Sequence, residues 1–402
     1  MKIKRLLVLA SEYPADDLPK TTTPVVHYFC KEWRKMGVEV HVINYLSNFP
    51  SIYYSISRPI ANLISSKEGF NIRTSQGKEC EYIKDDVLIK RVCMRKIIPH
   101  TNYSSSEIEK AVKKTITYCK KKNFIPDCIL GHWFDPCAEI GCELKKEWDT
   151  KLCITFHGDS SVLTQRFGKK LPYLLDAIDG FGYRSFPIQK SYCSLIGNTK
   201  PGYICPSGIP DDYISEINRD FFNKITTFVF VGTLIKRKYP AEIIPAVTNA
   251  FPDKDFSIYY VGTGSEEKQV KIFAKQLNVE SNIKLLGRRT RKEVVEILCK
   301  SDVLVMNSKD EAFGLVYLEA MAVGCIVIAA IDEGFDGIIV NGENGFLCKA
   351  GDIEDLSKTI EIIRNLSSDE LNRISNSAIN TARELTERKV AESYLRYLES
   401  IV

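Results

Sequence analysis

Two successive series of short apolar, β-branched runs, each followed by a stretch of helical pattern, constrain this chain more than any other feature. The first series is RLLVLA (5–10), VEVHVINY (38–45), DVLIKRV (86–92), DCILGH (127–132), LCITFH (152–157) and SLIGN (194–198). The second is TFVFVG (227–232), DFSIYYVG (255–262), NIKLLG (282–287), DVLVMN (302–307) and CIVIAA (325–330). Strands that are apolar on both faces need helices on both faces, which is the arrangement of a parallel, doubly wound sheet. The fold class is therefore α/β, with two Rossmann-like doubly wound domains. Pro206, Gly208 and Pro210 in CPSGIPDDY (205–213) punctuate the chain just before the second series, placing the boundary there. The expected domains are 1–208 and 209–385, with 386–402 a helix packing back towards the first. Doubly wound sheets hold ligands at the carboxyl ends of their strands, so two of them predict one shared interdomain cleft. Residues 46–84, rich in Ser, Ile and Tyr and carrying Pro50 and Pro59, read as an irregular insertion.

Composition narrows the class. With 44% hydrophobic and 26% charged residues over 402 positions, the chain is neither disordered, collagen-like nor a coiled coil. No apolar run approaches the roughly 20 residues needed to span a bilayer. MKIKRLLVLASEYP starts with basic residues, but Leu6 to Ala10 is too short for a secretory core and reads as a first buried strand. The 13 cysteines are odd in number and never spaced C-x-x-C, which suggests reduced, buried thiols of a cytoplasmic protein. Residues 1–210 carry 31 basic and 21 acidic side chains against 24 and 30 in the remainder, so the halves are +10 and −6. A basic first half fits either an unevenly charged solvated surface or an anionic partner, such as a membrane surface or a phosphorylated acceptor.

Three segments carry chemistry. In NSKDEAFGLVYLEAMAVG (307–324) a buried strand leads into a helix starting near Phe313–Gly314, where the backbone N–H groups of Phe313, Gly314 and Leu315 would meet a phosphate. Glycine at 314 lets the backbone approach such a ligand. Glu311 and Glu319 flank this turn; carboxylates repel a phosphate, so they would reach past it to sugar or ribose hydroxyls. In VGTLIKRKYP (231–240) a strand ends at Gly232 and Lys236-Arg237-Lys238 follow, where Arg237 and Lys238 could clamp a diphosphate. A solvated charge run is the ordinary alternative. In ITFHGDSS (154–161) His157 ends a first-half strand, a place for chemistry or for a structural histidine. Asp253-Lys254-Asp255 reads as a solvated turn, so no metal site is expected, and VGTGSEE (261–267) lacks the third glycine of a dinucleotide fingerprint.

These segments, in this order, resemble the retaining glycosyltransferases of family 4, group 1 glycosyl transferases with the GT-B fold. The likeness spans almost the whole chain: the Glu-seven-Glu spacing of Glu311 and Glu319, then EAMAVG, NGENGFL (341–347), the LLGR turn (285–288), CPSGIP and GDIEDLSKTI (351–360). The resemblance implies transfer of a sugar from a nucleotide diphosphate sugar to a hydroxyl acceptor, with no cofactor or metal. It makes the first domain acceptor-binding and the second nucleotide-sugar-binding. It puts Glu319 on the ribose, Glu311 on donor-sugar hydroxyls, Arg237 and Lys238 on the diphosphate, His157 near the reacting centre and Gly287–Arg288 against the base.

The chain also departs from the family. The loop in ASEYPADDLPKTTTPVVHYF (10–29) lacks the usual paired glycine, so Thr21, Thr22 and Thr23 would serve the acceptor side with hydroxyls. Ala312 replaces a glycine, and DEGFDGII (332–339) offers Asp336 for a sugar hydroxyl. The acceptor implied is a cell-surface glycan or lipid-linked oligosaccharide, with peripheral association at the cytoplasmic membrane face; residues 46–66 could touch the membrane or cover the acceptor. Two other readings stay open: a nucleotide-sugar epimerase or hydrolase on the same fold, and a catalytically silent nucleotide-sugar-binding subunit. No nucleic acid is expected as partner.

Overall fold

The computed structural model describes residues 2–18, 24–55, 73–99, 101–158, 160–196, 200–214, 221 and 225–402. The chain forms two compact units: the described residues up to Pro206 together with Glu387–Val402, and Ser207–Thr386.

The first unit is built on eight strands in the order β3-β4-β2-β1-β5-β6-β7-β8. They are β1 (Arg5–Ala10), β2 (Glu39–Asn48), β3 (Cys80–Lys84), β4 (Val87–Arg95), β5 (Cys128–His132), β6 (Lys151–Phe156), β7 (Gly180–Tyr183) and β8 (Gly202–Ile204). All neighbours are parallel except β3, which runs antiparallel to β4 at the edge. The helices are α1 (Val25–Lys35), α2 (Ser105–Lys121), α3 (Cys137–Trp148), α4 (Leu163–Phe167), α5 (Lys170–Ala177) and α6 (Phe186–Ile196). Central strands are buried from end to end, as Leu6–Ala10 and Cys128–His132 show, because helices cover both faces. Ser104 caps α2 by accepting a hydrogen bond from the Glu107 N–H, a contact that stabilises a helix start by about 1 kcal/mol. The helix Glu387–Ile401 belongs to this unit: the Trp33 indole donates to the Ala391 carbonyl at 2.8 Å, and the Thr155 and Tyr394 hydroxyls bond to each other.

Three readings of this half are corrected. The described part of SLIGN is not a strand, because Ser194–Ile196 is the last turn of α6; a short apolar run reads equally as buried helix or strand. Cys80–Lys84, inside the expected irregular insertion, is an ordered edge strand, and β2 itself continues to Asn48. The remainder of that insertion at 56–72 lies outside the described residues. β7 replaces the missing strand. Its sequence, GFGY, is poor in strand formers, but a side chain at Gly182 would run into Thr155, and one at Gly180 into Tyr397 and Ile401.

The second unit has six parallel strands in the order β11-β10-β9-β12-β13-β14. They are β9 (Thr227–Val231), β10 (Ser257–Val261), β11 (Ile283–Gly287), β12 (Val303–Met306), β13 (Ile326–Ala330) and β14 (Phe346–Cys348). Around them lie α7 (Ile243–Ala250), α8 (Glu267–Gln276), α9 (Arg291–Cys299), α10 (Leu315–Ala322), α11 (Ile353–Arg364) and α12 (Ser368–Glu384). Capping boxes start α9 (Thr290 with Glu293) and α12 (Ser367 with Glu370). The chain winds outward from β9 to β11, then returns to the other side of β9 with β12. The crevice between β9 and β12 is therefore a topological switch point, and β1 and β5 define the corresponding point in the first unit. Among the described residues no helix is long and apolar enough to cross a membrane.

Candidate active site

At the second unit's switch point two loops leave the ends of β9 and β12 and bond to each other. The turn Lys236–Lys238 lies against the loop after β12: the Lys309 N–H donates to the Arg237 carbonyl at 2.7 Å, while Arg237 Nη1 donates to the carbonyls of Lys309 (3.0 Å) and Asp310 (3.1 Å). Arg237 thus ties the loops together. Lys238 Nζ sits 3.1 Å from Glu311 Oε2, and both side chains are largely buried. Gly232 backs this pair, since a Cβ there would lie 3.4 Å from Lys238 Nζ.

Gly314 starts α10 with φ +78°, a left-handed conformation that favours glycine, and a side chain there would strike the Tyr317 ring. The Tyr317 hydroxyl donates to the Met306 carbonyl at 2.5 Å, which fixes the first turn of α10 to the end of β12. Phe313 turns its ring into the core, edge-on to Phe335 at 5.3 Å, and Leu315 packs beside that core. The segment Glu311–Leu315 therefore offers its backbone, not its apolar side chains, at the helix start. Glu319 is buried one turn and more into α10, where Arg291 Nε donates to Oε1 at 2.6 Å. Burial pushes its carboxyl above the usual range, against the pull of Arg291. Arg291 also lies over the Tyr213 ring at 4.8 Å.

The other expected residues surround this centre. Gly287, at φ +69°, ends β11 and accepts from the Gly262 N–H at 2.9 Å; the exposed Arg288 donates to Thr263 Oγ1 at 3.2 Å. Side chains at Gly262 or Gly264 would run into the backbone of Gly232 and Leu234, so VGTG is the bed on which the β9 loop lies. Asp336 accepts from the Asp332 N–H at 2.7 Å and so closes its own loop. Within that loop Glu333 accepts from the Glu311 N–H at 2.9 Å, and burial raises its carboxyl above the usual range. Gly334 packs flat on the backbone of Glu311–Phe313. Among the described residues no group of His, Cys, Asp and Glu side chains is arranged to hold a metal ion.

His157 belongs to the first unit, immediately after β6. It is half-buried, its Nε2 lies 3.0 Å from Nδ1 of His132, and it stacks on Trp133 with centroids 4.0 Å apart. Burial, His132 and the buried Arg184 together depress its pKa, so the ring is neutral. Thr21, Thr22 and Thr23 lie outside the described residues. The loop before them is firmly held: Arg91 makes two 2.7 Å bonds to Asp17, Tyr82 donates to the Pro14 carbonyl at 2.9 Å, and the Tyr13 hydroxyl, His27 and Asp85 form a chain of 2.8 and 2.7 Å bonds.

Residues 218–381, within the second unit, match the family described as glycosyl transferases group 1. That segment belongs to the group 1 glycosyltransferases. It is similar to an uncharacterized glycosyltransferase of Methanocaldococcus jannaschii, 26% identical over 293 residues, which cover 67% of this chain and 80% of that protein. It is 30% identical over 145 residues to the N-acetyl-alpha-D-glucosaminyl L-malate synthase of Bacillus anthracis, but that stretch covers only 36% of this chain and 37% of the synthase. The solved structure of Anabaena HepE in complex with UDP superimposes with a TM-score of 0.69 at 16% identity, covering 98% of this chain and 100% of that one. The fold is GT-B.

The sequence motifs located the loops but missed several partners within them. Arg291, Glu333 and Gly334 were not singled out, although Arg291 lies in the basic run that begins at Arg288 and Glu333-Gly334 stand inside DEGFDGII. His132, Trp133 and Arg184 were missed as well. HWFDP (132–136), straight after a strand at the switch point, was the available signal for the first two.

Proposed function

We propose that this glycosyltransferase moves a sugar from a nucleoside diphosphate sugar to a hydroxyl acceptor with retention at the anomeric carbon and without a metal ion. The observation that carries the reading is the Lys238–Glu311 pair at the switch point beside a helix that starts on a positive-φ glycine. Breaking the bond between the anomeric carbon and the diphosphate leaves negative charge on the leaving oxygens. The Lys238 ammonium and the start of α10 oppose that charge, and groups aimed in this way are worth about 10²–10³ in rate each. Glu311 accepts a hydrogen bond from a donor-sugar hydroxyl and keeps Lys238 in place before the donor arrives. Glu319 accepts from the ribose, with Arg291 holding it ionised. Arg237 fixes the loop that carries Glu311 and shares in binding the diphosphate, while Gly287–Arg288 border the base and Asp336 meets a sugar hydroxyl.

The acceptor oxygen attacks from the face that the diphosphate leaves, and its proton passes to the departing phosphate oxygen. The basic excess of residues 1–210 supports an acceptor on the first unit that is anionic or held at an anionic membrane, such as a lipid-linked oligosaccharide or cell-surface glycan. HepE was solved with UDP, which makes uridine the first nucleoside to try.

Incubation with UDP, GDP and ADP sugars, with and without a lipid-linked acceptor, tests the reading when products are resolved by anomeric configuration. A glycoside that retains the donor's configuration is expected. Sugar release or epimerisation in the absence of acceptor contradicts it, as does binding of every donor without turnover.

A further inference from the structure

The carboxyl edge of the first unit's sheet carries a pair of histidines, one buried and one half-buried. His132 ends β5 and is wholly buried; its Nδ1 lies 3.0 Å from His157 Nε2, and its own Nε2 is buried with no hydrogen-bond partner among the described residues. Both rings are held by stacking. Trp133, at φ +66°, lies on His157 with planes 16° apart, and Phe29 stacks on His132 with centroids 6.4 Å apart.

A hydrogen bond between two neutral imidazoles takes one N–H and one lone pair, so the pair must adopt one of two proton arrangements. With the proton of His132 on Nε2, a buried N–H would face no acceptor, the rarer and costlier kind of orphan in protein interiors. With the proton on Nδ1, His132 donates to His157 Nε2, and the single proton of a neutral His157 then occupies Nδ1. We propose that His132 is a positioning residue that fixes His157 in its Nδ1–H form, so that the ring presents an N–H donor and no basic lone pair at Nδ1, at the carboxyl edge of the first unit's sheet. The proposal's bearing on turnover rests on the proposed function, with His157 near the reacting centre as the family resemblance implies. The charge bearing on both rings is that of Arg184, at the end of β7, and with burial it keeps both imidazoles neutral.

The full chain has five histidines, so labelling histidine with ¹⁵N and recording two-bond proton–nitrogen correlations resolves each ring. Signals are assigned by their loss in His132→Asn and His157→Asn. Between about pH 5.5 and 8, both His132 and His157 are expected neutral and protonated at Nδ1. His157 protonated at Nε2, or cationic in that range, overturns the proposal without any assay of transfer. His132→Asn keeps an N–H where Nδ1–H stood and should preserve both the His157 form and most of the turnover. His132→Phe should release the ring and lower kcat about tenfold with donor KM within about twofold. If the Asn and Phe variants turn over equally and neither alters the His157 form, His132 positions nothing. If the form changes in the Phe variant while kcat does not, the positioning stands and the placing of His157 at the reacting centre is what fails.

Discussion

The two switch points of this molecule are built differently. In the second unit the loops touch backbone to backbone: Gly262, Gly264 and Gly334 each lie where a Cβ would strike main-chain atoms, and Gly314 sits at positive φ. In the first unit the loop after β1 is held by side chains far apart in sequence, Arg91 on Asp17, Tyr82 on Pro14 and Asp85 through His27 on Tyr13. Backbone contact tolerates one residue type at each point, so the second site is written as a local motif. Side-chain clamps can be made by many residue pairs, so the first site leaves little trace in any short stretch of sequence.

The largest expected effect is on the second site. Lys238→Ala should lower kcat by about 10²–10³ in steady-state assays run well below the unfolding midpoint, which itself falls because Glu311 loses its ion-pair partner. Turnover within a factor of ten of wild type would remove Lys238 from the chemistry. Gly334→Ala comes next, at about 2–3 kcal/mol of stability in a denaturant titration, because the added methyl meets backbone that cannot turn aside. Gly158→Ala, with open space around it in the first unit, should be near neutral; equal effects at the two positions would erase the contrast.

Acid should also separate the units. All five histidines lie in the first half of the chain, and burial holds His27, His41 and His132 below the ordinary imidazole range, His132 at about 3. Their folded values are depressed, so their contribution is complete above about pH 6.5 and is lost as pH falls below it, by about 1.4 kcal/mol per pH unit for a wholly buried ring. The buried carboxyl Glu319 and the half-buried Glu242 and Glu333 of the second unit are shifted up by desolvation, and protonation relieves them as pH falls. Trp33, Trp133 and Trp148 all belong to the first unit, so the tryptophan-fluorescence melting point should drop between pH 7.5 and 5.5. An unchanged midpoint would mean those rings are not buried neutral. A smaller loss is expected of Asp17→Asn, which weakens the two charge-assisted hydrogen bonds from Arg91 and should cost about 1 kcal/mol, seen as a lower fluorescence midpoint at pH 7.

Much of the fold was legible because parallel strands buried on both faces write themselves as apolar runs, as RLLVLA and CIVIAA do. What was missed follows from the same physics. GFGY is a strand whose glycines answer to Thr155 and to the helix at Tyr397 and Ile401, contacts distant in sequence. SLIGN has the composition of a strand but finishes a helix, and FLC (346–348) is too short to stand out from its surroundings. At the site, Glu311, Gly314 and Lys238 were singled out not by spacing alone but by their place after buried strands and by the family resemblance. The partner that makes Glu319 a folding residue was not: Arg291 is 28 positions away, and Glu319→Ala would strand its charge. Glu319→Gln is therefore the cleaner probe of ribose binding.

Titration calorimetry with UDP, GDP and ADP, on the wild-type chain and on Lys238→Ala, tests most directly whether a nucleoside diphosphate is met at the β9–β12 crevice. Saturable binding of one of them by the wild type, weakened at least tenfold by the substitution, is the expected result. Equal affinity in both chains, or no binding of any of the three, would contradict it.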